Sequence, residues 1–186
     1  MEKQWKIQFW GTRGSIPRAG KDFLEYGGNT SCVSVNWSGG WVVFDAGSGL
    51  VDLGQIMGRE SAPKLIHILF SHLHMDHILG FFGFGLFHDP EARIHLYGEP
   101  GAGISFRQRL EQVAAQPYWP LGLDDYQAQI QIHEVGPGQQ FCLEETGTAL
   151  RVSTLRGMHP GGSILYRLDQ TTSSGPAAGV RESGAG

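Results

Sequence analysis

Apolar and polar residues form short runs along the chain, and most of these runs predict β-strands. Residues 32–37 (CVSVNW) alternate, and residues 41–47 (WVVFDAG) are apolar almost up to their aspartate, so the turn between them predicts a hairpin. Residues 64–70 (KLIHILF) are of the kind buried on both faces of a sheet. Similar strand patterns occupy residues 5–10, 93–98, 129–136, 149–160 and 163–168.

Helical spacing of apolar residues appears in two segments, 50–60 and 103–116, and the second ends before Pro117. Residues 78–87 (ILGFFGFGLF) are apolar throughout and predict a buried helix loosened by its glycines. Strands that alternate with helices after a strand-rich start predict an α/β fold, in which helices cover the sheets.

The length of 186 residues suits one domain, which we place at residues 1–168. Residues 169–186 break the pattern, since they contain no aromatic residue and are rich in Gly, Ser, Ala and Thr. We expect this segment to be a disordered or aberrant tail.

Charge and hydropathy limit the classes of partner. The formal net charge is −4, and no cluster of Lys and Arg stands out, so we expect no broad nucleic-acid surface. A small phosphodiester substrate stays possible, because a metal ion can supply local positive charge. The chain shows neither a signal-like start nor a segment of transmembrane length, so we expect a cytoplasmic protein without membrane contact.

Four potential metal ligands follow directly on the buried run 64–70, namely His72, His74, Asp76 and His77. His72 and His74 can converge on one ion, because positions i and i+2 of a strand share a face. Imidazole and carboxylate suit zinc and similar first-row ions, and two ions roughly 3.5–4 Å apart could divide these ligands. The alternative is a polar loop that is rich in histidine by chance.

The segment SHLHMDH (71–77) resembles the H-x-H-x-D-H motif of the metallo-β-lactamase superfamily. FDAGSGL (44–50) and MHPGG (158–162) resemble two further elements of that superfamily. The opening segments FWGTRGSIP (9–17) and YGGNTSC (26–32) are similar to its phosphodiesterase-like branch, which is related to ribonuclease Z and cyclic-nucleotide phosphodiesterases. The resemblance covers about residues 5 to 168.

This resemblance implies an αββα sandwich with a dinuclear site between the sheet edges. His72, His74 and His159 would hold the first metal, and Asp76 and His77 the second. Asp45 would accept a proton from a ligand imidazole and fix its tautomer without binding metal. As alternatives, His159 could be an ordinary turn residue, and Asp45 a turn-forming aspartate before Gly47.

The family pattern implies two further ligands, a bridging aspartate and a final histidine, that the sequence after residue 168 does not supply. Asp169 follows His159 too closely to be the bridging residue. The resemblance therefore implies a C-terminally truncated chain with an incomplete second half, whose exposed edges could favour a homo-oligomer. One or two zinc ions are expected, and these ligands do not exclude Mn²⁺ or Fe²⁺.

The resulting functional hypothesis is a metal-dependent hydrolase, above all a phosphodiesterase that uses a metal-bound hydroxide, with Asp76 orienting the attacking water. Asn29 and Thr30, in a glycine-rich loop, could offer hydrogen bonds to the substrate, although simple turn structure explains them equally well. Two alternatives stay open: a hydrolase of carboxylic esters, lactones or thioesters within the same superfamily, and a truncated metal-binding fragment without catalysis.

Overall fold

The computed structural model describes residues 5–37, 40–59, 64–143 and 150–170, and these residues form two β-sheets. The first sheet has six strands in chain order: β1 (Lys6–Gly11), β2 (Cys32–Trp37), β3 (Gly40–Phe44), β4 (Leu65–Leu69), β5 (Arg93–Gly98) and β6 (Gln129–Glu134). Strands β1 to β3 are antiparallel, and β3 to β6 are parallel. The second sheet is antiparallel, with three strands: β7 (Gln140–Leu143), β8 (Leu150–Gly157) and β9 (Ser163–Gln170).

Three α-helices connect these strands: α1 (Gly49–Met57), α2 (Met75–Ile78) and α3 (Phe106–Val113). Short 3₁₀ turns lie at Lys21–Phe23, Phe81–Gly83, Gly85–His88 and Leu123–Asp125. In the part of the chain that the structure describes, no helix has the length and apolar character needed to cross a membrane.

The six-stranded sheet is covered on both faces. On one face, Val43 and Ile68 pack with apolar residues of α1 and α3, such as Leu53 and Phe106. On the other face, Val42 and Leu69 belong to a second cluster, which includes residues of β7, β8 and β9. All five residues of β4 are buried, which confirms that the run 64–70 is a strand enclosed on both faces.

The resulting layers are helices, a six-stranded sheet and a three-stranded sheet, in that order. Within the described ranges no helix covers the outer face of the three-stranded sheet, where Leu155 and Leu165 are exposed. The predicted αββα sandwich with an incomplete second half is therefore confirmed. The tail was expected at residues 169–186, but its first two residues belong to strand β9, which continues through Gln170. The rest of that segment, 171–186, lies outside the described residues.

The prediction of one helix over residues 78–87 is wrong, because this segment forms the end of α2 and two 3₁₀ turns. The chain leaves the α-helical path at Gly80, where it packs directly on another backbone segment. The amide of Gly80 donates to the carbonyl of Ala46 at 2.8 Å, and a Cβ on Gly80 would overlap the carbonyl oxygen of Gly47. Glycine is thus required here by a close approach of two loops.

Two other boundaries differ from the sequence patterns. Helix α3 begins only at Phe106, because Ser105 caps it: the Ser105 hydroxyl accepts from the amide of Gln108 at 3.1 Å, and the Gln108 side chain accepts from the amide of Ser105 at 2.8 Å. Strand β7 was not predicted, since a segment as short as QFCL (140–143) carries little periodic signal.

Two buried histidines lie side by side on the face of the six-stranded sheet that packs on the smaller sheet. His67 of β4 pairs in register with His95 of β5, and their rings are 4.8 Å apart. The pKa of His67 is lowered to about 3, by burial first and then by the neighbouring His95, His133 and Arg93. Burial, followed by Arg93, lowers the pKa of His95 to about 4.

These shifts predict a loss of stability in mild acid. An unfolded histidine titrates near pH 6.5, so below that pH the unfolded chain binds protons that the folded chain does not. We expect the free energy of unfolding to fall between about pH 6.5 and 4.5, with roughly 2–3 kcal/mol from His67 at about 1.4 kcal/mol per pKa unit. Urea unfolding in the presence of a chelator measures this fall.

The fall in the free energy of unfolding should be smaller in His67→Gln and unchanged in His88→Gln, which alters an exposed ring. Equal pH slopes in His67→Gln and the unsubstituted protein would contradict the assignment.

Candidate metal centre

The site is built at the carboxyl ends of β3 and β4, where parallel strands open toward the same edge. Residues 71–77 leave β4, and Asp45 leaves β3 with its amide bonded to the carbonyl of Leu69 at 3.0 Å. The amide of Ala46 donates to the carbonyl of His77 at 2.7 Å, so the two strand exits are tied together. The loop between β8 and β9 brings His159 from the other sheet.

Three of the predicted ligands form one group. The metal-binding atoms of His72, His74 and His159 lie within 4.8 Å of one another. The rings of His72 and His74 are 4.5 Å apart, as expected for neighbours on one side of the chain, and Nε2 of His159 lies 3.1 Å from Nδ1 of His74. His159 is therefore placed with the motif histidines, although it is distant in sequence.

The imidazole of His72 has the properties of a ligand held ready for a cation. Its Nε2 is buried and, within the described residues, has no hydrogen-bond partner. Burial, followed by the neighbouring His77, lowers the pKa of His72 to about 4, so the ring is neutral at pH 7. A buried polar atom without a partner costs about 1–3 kcal/mol, and a divalent ion would satisfy this one. Three imidazoles around one point fit zinc or a similar ion.

The carboxylate of Asp45 controls the proton positions on the imidazole rings of His77 and His72. Its Oδ2 lies 2.7 Å from Nδ1 of His77 and accepts from the Ser71 hydroxyl at 3.0 Å. Since Ser71 gives its one proton to Asp45, its oxygen can only accept from Nδ1 of His72, 2.9 Å away. Both histidines then carry their proton on Nδ1, and the lone pair of each ring is on Nε2.

Asp45 is itself firmly held. Its side chain is buried, and its Oδ1 accepts from the amide of Ser71 at 2.7 Å. The backbone of Asp45 has a φ of 60°, a left-handed conformation that aspartate and asparagine tolerate better than most residues. Such conformations occur where surrounding contacts fix the chain, often at functional sites.

Asp76 and His77 lie beside the three-histidine group as a second pair. The rings of His77 and His72 are 4.1 Å apart, and Nε2 of His77 lies 3.5 Å from Oδ2 of Asp76. Burial acts to lower the pKa of His77, but the hydrogen bond and charge of Asp45, with the charge of Asp76, raise it overall. Burial acts to raise the pKa of Asp76, but hydrogen bonds from backbone amides, including Ser15 at 3.0 Å, and the neighbouring histidines lower it overall.

The structure does not support Asn29 and Thr30 as substrate ligands. Thr30 is fully buried, and its hydroxyl accepts from the amide of Ser48 at 2.8 Å. The side chain of Asn29 donates to Asp52 and accepts from Ser48, both at the start of α1. Their polar groups are used to fix the loop before β2 onto α1, which is the simple structural role left open by the sequence.

The sequence patterns missed two elements that the structure places at the site. Ser71 precedes the first motif histidine directly, and only its contact with Asp45 identifies its role. A cleft of about 130 Å³ opens beside the histidines, and Phe106 and Arg109 of α3 contribute to its wall. Its other lining residues are Phe70, Ser71, His72, Leu73, His74, Glu99, Pro160, Gly161 and Gly162.

Comparison with known proteins shows the family of this chain. Residues 40–184 match the family model described as the beta-lactamase superfamily domain. A ribonuclease Z of Haloarcula marismortui is 26% identical over 173 residues, which cover 91% of this chain and 49% of that protein. A ribonuclease Z of Haloferax volcanii is 30% identical over 139 residues, which cover 72% of this chain and 37% of that protein.

Solved structures show the same fold. A diphosphatase from the PhnP family has a TM-score of 0.61 and 20% identity, over 89% of this chain and 62% of that one. The metallo-β-lactamase fold protein YhfI from Bacillus subtilis has a TM-score of 0.57 and 16% identity, over 89% of this chain and 57% of that one. The chain spans about half the length of the ribonuclease Z of Haloarcula marismortui, and 37% of the length of the one from Haloferax volcanii.

One expectation from composition is overturned. The curated relatives are named ribonuclease Z, and a ribonuclease acts on RNA, so the expectation of no broad nucleic-acid surface is contradicted. The expectation of a small phosphodiester substrate is not confirmed. The net charge of −4 is a sum over the whole chain and does not report how charge is distributed near the site.

The resemblance seen in the sequence is confirmed by the family match and by the fold. The family model matches more than half of the residues of this chain, and the relatives of the chain include proteins named ribonuclease Z. The chain belongs to the metallo-β-lactamase superfamily, in its phosphodiesterase-like branch.

Proposed function

We propose that this chain carries the metal centre of a metal-dependent hydrolase that cleaves phosphodiester bonds in RNA. The observation that carries the proposal is the group formed by His72, His74 and His159, whose binding atoms lie within 4.8 Å of one another. The names of the curated relatives support RNA as the substrate. The cleft beside the histidines provides space for a substrate group next to them.

His72, His74 and His159 would hold a first ion, and Asp76 and His77 would contribute to a second. When bound, zinc supplies a Lewis acid that lowers the pKa of a water molecule toward neutrality. Asp45 keeps the Nδ1 proton on His77 directly and on His72 through Ser71, so that both Nε2 lone pairs stay available.

Asp76 is the residue that we assign to the attacking water. Its carboxylate is held by the amide of Ser15 and stays ionised at neutral pH, because its pKa is below the ordinary value. An ionised carboxylate only accepts hydrogen bonds, so it can orient a water molecule by accepting one of its protons. The distance of 3.5 Å between Oδ2 of Asp76 and Nε2 of His77 supports this role, because the acceptor lies next to a proposed ligand.

The first prediction from the proposed function concerns metal content. We expect one tightly held zinc ion per chain, measured by elemental analysis after dialysis, and a second ion that binds more weakly because only Asp76 and His77 are assigned to it. His72→Ala and His159→Ala should each lose the tightly held ion, since two imidazoles bind zinc poorly. His88→Ala is the control, because His88 is exposed and outside the histidine group. Retention of zinc by both ligand variants would contradict the assignment.

The second prediction concerns Asp45. Asp45→Asn keeps the size of the side chain and a residue that tolerates a φ of 60°, but removes the negative charge that holds the imidazole protons. We expect the affinity for zinc, or the rate of hydrolysis, to fall by about 10–100-fold, as is typical for substitution of residues that orient metal ligands. Zinc titration and steady-state kinetics measure the two effects. Asp52→Asn, at an exposed position on α1, should leave both values unchanged.

The third prediction tests the reaction itself. The zinc-loaded protein should cleave a single-stranded RNA oligonucleotide, and a chelator should stop the reaction until zinc is restored. Carboxylic ester, lactone and thioester substrates are assayed in parallel. Turnover of one of these compounds without RNA cleavage would overturn the phosphodiester assignment. Tight zinc binding without any turnover would instead support a metal-binding fragment without catalysis.

A further inference from the structure

The loop between β1 and β2 holds two arginines against one aromatic ring. The Cζ atom of Arg13 lies 5.0 Å from the ring centroid of Phe23, and the Cζ atom of Arg18 lies 5.2 Å from it. Each contact is a cation–π interaction, worth about 0.5–1 kcal/mol at an exposed position. Among the residues that the structure describes, no carboxylate lies within 4.0 Å of either guanidinium.

Two like charges on one ring repel each other, and the loop keeps them in place through its backbone. The amide of Arg13 donates to the carbonyl of Asn29 at 3.1 Å, and the amide of Arg18 donates to the carbonyl of Gly28 at 2.9 Å. The Nε of Arg13 donates to the carbonyl of Ile16 at 2.9 Å, which directs the guanidinium. A Cβ on Gly28 would overlap the carbonyl oxygen of Arg18, so the close approach of the two sides of the loop requires glycine there.

The same loop reaches the metal centre. The amide of Ser15, two positions after Arg13, donates to Oδ2 of Asp76 at 3.0 Å. A Cβ on Gly14 would lie 3.9 Å from the same oxygen. The two arginines therefore lie in a segment that borders the site where the scissile phosphate would bind.

We propose that Arg13, Arg18 and Phe23 form a clamp for a backbone phosphate of single-stranded RNA, next to the phosphate that is cleaved. A guanidinium presents parallel N–H donors that match phosphate oxygens, and an anion shared by two of them removes their repulsion. Phe23 orders both cations before the phosphate binds, which lowers the entropic cost of binding. This inference rests on the proposed RNA substrate and adds the place where the strand is held.

The surroundings of the clamp fit a polynucleotide better than an isolated anion. The side chain of Tyr26, in the same loop, is 80% exposed, and exposed aromatic rings provide faces on which bases stack. Three cationic residues, Arg13, Arg18 and Lys21, outnumber the acidic residues Asp22 and Glu25 in this segment, in a chain whose net charge is −4. This segment therefore carries a small positive net charge, and its Ser15 amide contacts Asp76 of the candidate metal centre.

Binding of a fluorescent single-stranded RNA with phosphorothioate linkages, which resist hydrolysis, tests the clamp in the full zinc-loaded chain. Affinity is measured by anisotropy at several salt concentrations. Arg13→Gln and Arg18→Gln should each weaken binding about 5–10-fold, and the variant that carries both substitutions should reduce the slope of log K against log salt by about 0.7, the value for one phosphate contact with a single strand. Lys21→Gln is the matched control, since it removes the same charge from the same loop, and the described cation–π contacts to Phe23 come from Arg13 and Arg18.

A further variant separates the effect of ordering the arginine side chains from the effect of their charge. Phe23→Leu leaves every charge in place, so it should weaken RNA binding while changing the salt slope by much less than 0.7. Circular dichroism and zinc content confirm that each variant is folded. Equal effects of Lys21→Gln and the arginine variants would show general attraction and overturn the clamp, as would absence of RNA binding by the unsubstituted protein. Because binding is measured without turnover, a protein that binds RNA through the arginines but does not cleave it would sink the proposed function alone.

Discussion

The carboxylate of Asp45 is the contact on which the metal centre depends. It lies at the end of β3, yet it accepts from the amide and hydroxyl of Ser71 at the end of β4 and contacts Nδ1 of His77 beyond it. One buried charge therefore joins two strand exits and determines the tautomers of two imidazoles. A buried carboxylate is costly unless it is fully hydrogen-bonded, and here several donors surround it.

The position of Asp45 in turn depends on how the two parallel strands are packed. Strands β3 and β4 pair in register from Trp41 with Ile66 to Phe44 with Leu69, so both end at the same edge of the sheet. Apolar side chains enclose this pair on both faces, which leaves the polar residues after each strand no other place than the open edge. The helices pack on one face of this strand pair and the small sheet packs on the other. Together they fix the positions of the two strand ends, and so the geometry of the site.

The third histidine shows why packing between the sheets matters. His159 is exposed and sits in a glycine-rich loop, so its own segment does little to position it. The small sheet is attached to the site by two bonds, from the amide of Ile164 to the carbonyl of Ser71 and from the hydroxyl of Tyr166 to the carbonyl of Phe70, both at 2.8 Å. These bonds join β9 to the same strand exit that carries His72. The metal group therefore forms only when the two sheets are docked.

Much of the fold and part of the site could be predicted from the sequence, because they depend on local patterns. The apolar run of β4 gave a buried strand, and the spacing of His72 and His74 gave two rings on one side of the chain. Family resemblance, not spacing, suggested His159 and Asp45. The features that were missed depend on contacts between distant segments: Ser71 matters only because it touches Asp45, and the break at Gly80 occurs only because that residue packs on Gly47.

Thr30 and Arg13 also depend on contacts that sequence patterns do not show. Folding buries Thr30, whereas it brings Arg13 next to a second arginine. From its glycine-rich loop, Thr30 was a candidate for a hydrogen bond to the substrate, but it is fully buried and its hydroxyl is bonded to the start of α1. Arg13 was part of a loop with no evident charge cluster, but folding brings the guanidinium groups of Arg13 and Arg18 to 5.0 and 5.2 Å from the ring centroid of Phe23. Sequence composition counts charges, whereas binding depends on where folding places them. A chain with a net charge of −4 can therefore hold two arginines on one aromatic ring, in a loop that also contacts the candidate metal centre.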